Sequence, residues 1–186
     1  DNAFAVDNNA WDPSYGAVDS AISLGAGDDT LVINASSDAT STGWWGSSFG
    51  GAYGTINTTI DTGEGDDSIR INVSSNASSS NWWGGGTGNS AAEVVGLDGG
   101  SSLNTGEGDD TIDISVEASA ASTNAWAMRN SSIDTGAGDD TVTLSARDNA
   151  FAVDNNAWDP SYGAVDSAIS LGAGDDTLVI NASSDA

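Results

Sequence analysis

The chain has 186 residues with 28 acids against three bases, a net charge of −25. That charge excludes nucleic acid and anionic membrane surfaces as partners. With no His, Cys or Lys, the usual general bases, thiol nucleophiles, Schiff-base amines and soft-metal ligands are missing, so only carboxylate and hydroxyl chemistry remains and no enzyme is expected.

A hydrophobic content of 38% and seven Trp argue for an ordered core. No apolar run reaches the length of a membrane span. Residues 1–39 return letter for letter as 148–186, an offset of 147. Residues 1–186 therefore read as one continuous solenoid segment, with 1–147 as one full tandem unit of four coils and 148–186 as the start of the next identical unit. The ends are expected to be arbitrary cuts in an array.

In chain order, Ile22 and Leu24 lead into Gly25-Ala26-Gly27-Asp28-Asp29, and Leu31, Ile33 and Ala35 follow at alternate positions. The pattern recurs at Gly63-Glu64-Gly65-Asp66-Asp67, with Ile69, Ile71 and Val73 behind it, and at Gly106-Glu107-Gly108-Asp109-Asp110, with Ile112, Ile114 and Val116. Gly136-Ala137-Gly138-Asp139-Asp140 precedes Val142, Leu144 and Ala146, and Gly172-Ala173-Gly174-Asp175-Asp176 closes the series. The first glycines are 38, 43, 30 and 36 residues apart. Alternation is strand period, and each glycine motif is a corner between two strands. Such a coil cannot bury its apolar face alone. The expected fold is all-β, a parallel β-solenoid (β-helix) of about five stacked coils with GxGDD corners.

Tryptophan gives a second landmark. Trp45, Trp83 and Trp126 each lie 16 residues after the second Asp of their motif, and Trp158 lies 18 after Asp140. Counted this way, length varies only between the Trp and the next glycine, and Trp11, Trp45, Trp83, Trp126 and Trp158 are expected to stack in one column. In the doublets Trp44-Trp45 and Trp82-Trp83, Trp44 and Trp82 are expected to emerge, at a slot that Ala10, Ala125 and Ala157 hold elsewhere. These rings are either a structural ladder or a contact strip for another rod or a glycan. Asn34, Asn57, Asn72, Asn76, Asn130 and Asn181 head Asn-x-Ser/Thr triplets that fit stacked Asn columns as well as glycosylation. The remaining acids, among them Asp7, Asp12, Asp19 and Glu117, are expected at the solvated surface.

Stacked corners would set aspartates about 5 Å apart, at a cost of roughly 3 kcal/mol per neighbouring pair at an effective dielectric of 20. A hard divalent cation relieves that repulsion, and oxygen-only ligands favour Ca²⁺ over Zn²⁺ or Mg²⁺. The corner also resembles the nonapeptide of RTX-type (hemolysin-type) calcium-binding repeats, G-G-x-G-x-D-x-U-x. Leu24 to Val32 matches its second, fourth, sixth and eighth positions, and the other four copies match there too. The first family glycine is Leu or Thr in every copy, and the motif occurs once per 30 to 43 residues instead of back to back, which fits a wider, three-faced coil. The resemblance implies Ca²⁺ held by Asp29, Asp67, Asp110, Asp140 and Asp176, with the backbone carbonyls of the corner glycines Gly25, Gly27, Gly63, Gly65, Gly106, Gly108, Gly136, Gly138, Gly172 and Gly174. Asp28, Asp66, Asp109, Asp139 and Asp175 either face solvent or complete a neighbour's shell.

Together these features point to a calcium-stiffened structural rod, secreted or at the cell surface, within a giant adhesin or a biofilm-matrix filament. Its expected partners are further copies of the repeat, in tandem or head to tail, with lateral rod contacts. The alternative is a carbohydrate-binding solenoid that grips polysaccharide on a Trp-lined face.

Overall fold

The computed structural model describes residues 2–6, 10–42, 47–80, 90–150 and 160–185, and among these the chain forms strands and turns with no helix. After β1 (Asn2–Val6), three strands build each coil. The first coil holds β2 (Ala10–Val18), β3 (Ala21–Ala26) and β4 (Thr30–Thr42), and the second β5 (Ser48–Ile56), β6 (Thr59–Glu64) and β7 (Ser68–Ser80). The third holds β8 (Ser90–Asp98), β9 (Ser102–Asn104) and β10 (Thr111–Ala120), and the fourth β11 (Ser122–Arg129), β12 (Ser132–Asp134) and β13 (Thr141–Ala150). The fifth holds β14 (Ser161–Val165), β15 (Ala168–Ser170) and β16 (Thr177–Asp185).

Every third strand pairs. Sheet 1 runs β1-β4-β7-β10-β13-β16, sheet 2 runs β2-β5-β8-β11-β14 and sheet 3 runs β3-β6-β9-β12-β15, so coils stack in chain order as a parallel β-solenoid. The pairing is in register: Thr30, Ser68, Thr111, Thr141 and Thr177 form one column, at the same offsets that separate the glycine motifs. The alternation read in the sequence fills the core. Ile33, Ile71, Ile114 and Leu144 share a buried column, Ile69, Ile112 and Val142 another, and Ile60, Leu103 and Ile133 rise from sheet 3 to meet them.

Pairing follows the sequence repeat. Asn2 pairs with Asp38 at one end and Asn149 with Asp185 at the other, the same two residues of the repeat moved on by 147.

Length variation sits elsewhere than tryptophan counting suggests. From sheet 2 to the glycine corner the coils differ by one residue, whereas the connection from sheet 1 to sheet 2 spans 42 to 48, 80 to 90, 120 to 122 and 150 to 161 in successive coils. In-register pairing of three sheets holds the rest of the coil to within that one residue and leaves this connector free.

Glycine is required at the corner because coils meet there backbone to backbone. Gly106 and Gly108 adopt φ of +97° and +137°, and a Cβ on Gly108 would run into the carbonyl of Gly65 in the coil before. Ladder bonds use the space instead: the Gly65 amide donates to the Glu107 carbonyl at 2.7 Å and the Thr111 amide to the Asp67 carbonyl at 2.8 Å. Gly108→Ala is expected to destabilise the fold by about 3 kcal/mol or more, from left-handed strain together with overpacking. Chemical denaturation measures this, and an unchanged midpoint would contradict the backbone contact.

Candidate functional site

Strand parity decides where each corner aspartate goes. The second Asp lies two residues before the first buried aliphatic of its strand, so it shares the inward face; the first Asp, one residue earlier, points out. Asp67, Asp110 and Asp140 accordingly keep 2%, 1% and 1% of their surface exposed, while Asp66, Asp109 and Asp139 are exposed. Asp29 and Asp176, in the outermost coils, are half-buried.

Both columns are hydrogen-bonded coil to coil, in opposite directions. In the inner column the Asp29 amide donates to Asp67 Oδ1 at 2.8 Å, Asp67 to Asp110 at 2.8 Å, Asp110 to Asp140 at 2.9 Å and Asp140 to Asp176 at 3.0 Å. In the outer column the carboxylate serves the following coil: the Asp66 amide donates to Asp28 Oδ1 at 3.0 Å, and Asp109, Asp139 and Asp175 donate to Asp66, Asp109 and Asp139 at 2.9 Å. Each interior corner thus has both aspartate amides capped by neighbouring carboxylates. Beside them, buried Thr62, Thr105 and Thr135 each donate a hydroxyl hydrogen bond to the carbonyl of Thr105, Thr135 and Leu171 in the next coil.

One oxygen per inner carboxylate is left over. Oδ2 of Asp29, Asp67, Asp110 and Asp140 is buried with no hydrogen-bond partner. Burying a carboxylate oxygen without compensation is costly. Burial pushes the Asp110 carboxyl above the usual carboxylate range; Thr105 and the Asp67 amide pull it back, and the Asp140 and Asp67 charges push it up again.

A hard cation fits this donor chemistry, because the unsatisfied atoms are all carboxylate oxygens. Among the described residues no three acidic side chains converge on one point. A bound cation would therefore take one carboxylate oxygen per coil and complete its shell with backbone carbonyls or water. The corner carbonyls of Gly63, Gly106 and Gly136 already accept ladder bonds and each keeps a second lone pair.

The tryptophans do not form the single expected column. Trp11 pairs with Phe49, whereas Trp126 aligns with Val95 and Tyr162, and through Val95 with Tyr53 and Tyr15. The variable connector precedes sheet 2, so counting from the aspartate loses the register. Ala125 is also the buried member of its pair and Trp126 the outward one, the reverse of the expected parity. Trp44, Trp45, Trp82, Trp83 and Trp158 lie outside the described residues, as does Asp7. Asp12 is buried instead of solvated: its Oδ2 accepts the Asp38 amide at 2.7 Å and its carbonyl accepts the Ser37 hydroxyl. Asn72 donates to Asn34 at 2.9 Å, so this part of the Asn ladder forms.

Two features escaped sequence reasoning. One is a second corner, where Asp19, Asn57, Asn130 and Asp166 stand at φ of 47° to 48° and the next residue's hydroxyl donates to the carbonyl two positions back, as Ser20 does to Val18 at 2.7 Å. Its signal was available: Asp or Asn, then Ser or Thr, two positions before an inward Ile. The other is Arg129, which bonds Asp98 through Nε at 2.9 Å and Nη2 at 2.6 Å, reaches Glu93 at 3.2 Å and lies 4.7 Å over the Trp126 ring. Tyr53 completes the cluster by donating to Glu93 at 3.1 Å. Burial and the Glu93 charge hold the Tyr53 phenol well above its ordinary value, and the Asp98 hydrogen bonds raise Arg129 further. Three arginines scattered in sequence gave no hint of this clamp.

Two outcomes follow. Arg129→Met strands Asp98 and is expected to cost roughly 2 kcal/mol by denaturation, less than a fully buried pair because the groups are partly solvated; a loss near zero would show that the cluster clamps nothing. In chelator, Asp110→Asn keeps an oxygen for the Asp67 amide and removes a buried charge, so it is expected to melt higher than the parent at pH 7. A raised folded-state pKa favours the folded parent most below the unfolded value and loses that contribution as pH rises, so the variant's advantage should vanish towards about pH 4. A gap that does not move with pH would contradict it. No family model, curated protein or solved structure matches the chain.

Proposed function

We propose that the chain is a segment of a calcium-stiffened structural rod that works outside the cell, within a surface adhesin or a matrix fibre, its task being reach and cohesion. The observation that carries this reading is the column of corner Asp carboxylates stacked in register, in which Oδ2 of Asp29, Asp67, Asp110 and Asp140 is buried without a partner. Ca²⁺ bound along it supplies charge neutralisation. Asp29, Asp67, Asp110, Asp140 and Asp176 would hold the ion from the inner side, and the outer aspartates keep the corner amides fixed.

Extracellular calcium modules work with sites of about 10⁻⁴ to 10⁻³ M, so such a rod folds where calcium is plentiful. Binding confined to the folded state adds to stability, by about 1.4 kcal/mol per site at a tenfold excess over Kd. The identical pairing one unit apart supports the rod: a tandem array would lengthen without a seam.

Thermal melting of the parent and Asp110→Asn, each in millimolar calcium and in EDTA, tests the reading. Calcium is expected to raise the parent's midpoint and to raise the variant's less, so that the order of the two reverses between the conditions. A parent midpoint and β circular-dichroism signal indifferent to EDTA would defeat it.

A further inference from the structure

The outer face of sheet 2 differs from the rest of the surface. It carries six aromatic rings, those of Trp11, Tyr15, Phe49, Tyr53, Trp126 and Tyr162, with Trp11, Tyr15 and Tyr162 exposed by 69%, 52% and 42%. On the face itself the ionised groups among the described residues are Glu93, Asp98 and Arg129, which neutralise one another to within one charge, with Asp19 and Asp166 exposed at its edge. Acid collects instead at the corner joining the other two sheets, where the outer aspartates stand with Glu64 and Glu107. In a chain of net charge −25 this face is nearly neutral.

We propose that it is the surface through which two copies of the chain lie side by side, sheet 2 against sheet 2. This rests on the rod reading and names the rod's partner. Like-charged rods repel wherever their surface charges come within a screening length of about 8 Å at physiological salt, and they repel least across this face. Exposed aromatic area of this kind marks an interaction site.

Ring orientation selects protein over sugar. Tyr15 and Tyr53 stack at 5.4 Å with planes 14° apart, and Trp126 stacks on Tyr162 at 6.1 Å and 13° while the Arg129 guanidinium covers the Trp126 ring at 4.7 Å. Tyr15, Tyr53, Trp126 and Tyr162 thus each turn a ring face along the stack towards a neighbour, while Trp11 and Phe49 meet tilted by 60° at 5.4 Å. Faces taken by a neighbouring ring or guanidinium suit interdigitation with another side-chain surface, whereas a sugar ring stacks on an open aromatic face. The pattern also recurs every four coils, or about 19 Å at ordinary strand spacing. Two copies share that spacing by construction, so one aligned contact repeats at every unit.

The test compares the calcium-loaded full chain with Tyr15→Asp/Tyr162→Asp and with Val32→Asp/Val179→Asp, which adds the same charge to exposed positions of sheet 1. Small-angle scattering and sedimentation velocity are read across a salt series. The parent is expected to pair as salt rises, thickening in cross-section; the tyrosine variant should stay single to at least a tenfold higher concentration, and the valine variant should pair like the parent. Tyr15→Ser/Tyr162→Ser carries the same expectation if the charged pair does not fold. Pairing undiminished in the tyrosine variants, equally diminished in the valine variant, or absent from the parent at every salt would overturn the proposal. So would growth in length without thickening, which is end-to-end joining. A parent whose melting midpoint rises with calcium yet never pairs leaves the rod reading standing, whereas one indifferent to calcium removes that reading first.

Discussion

Backbone contact between successive glycine corners is the constraint on which the rest of the structure depends. Coils approach so closely there that a Cβ on the corner glycines of the interior coils would collide with the coil before, and the amides and carbonyls exposed by the turn are closed by the neighbouring coil. Once the corners superpose, the strands that leave them are in register, and the alternation of each strand stacks Ile on Ile and Leu on Ile through the core. Register is thus set at one edge of the coil and inherited by three sheets.

The same superposition creates the chemistry. Because the second aspartate shares its strand's inward parity, stacking coils necessarily stacks buried carboxylates, and their amide bonds use one oxygen of each. The leftover oxygens make folding depend on what neutralises them: a proton, at some cost in pH range, or a cation. In the proposed reading, calcium outside the cell would be the ligand that lets such a column persist at neutral pH. The outer aspartates remain exposed and keep the solenoid strongly anionic, while Arg129 balances the acids beside the aromatic face.

Fold and corner were legible because their signals are local and repeated. Alternation after each GDD gave the inward residues Ile69, Ile71, Ile112 and Ile114, and five glycine motifs gave the coil offsets that pairing reproduces. Even the contrast between Asp67 inside and Asp66 outside follows from parity. What failed depended on a non-local register: Trp126 was matched to Trp11 by counting through a connector whose length is free, and Asp12 read as surface because nothing nearby in sequence shows that Ser37 and Asp38 enclose it. Arg129 finds Asp98 and Glu93 across a coil boundary 31 and 36 residues away, a contact that exists only after stacking.

The account stands or falls on what occupies the space beside the inner aspartates. Anomalous diffraction from crystals grown in calcium addresses it directly. The account predicts ordered calcium peaks lined up along the rod next to Oδ2 of Asp67, Asp110 and Asp140. Calcium-saturated crystals with no anomalous density along that column, the carboxyls instead protonated and bonded to one another or to water, would contradict it.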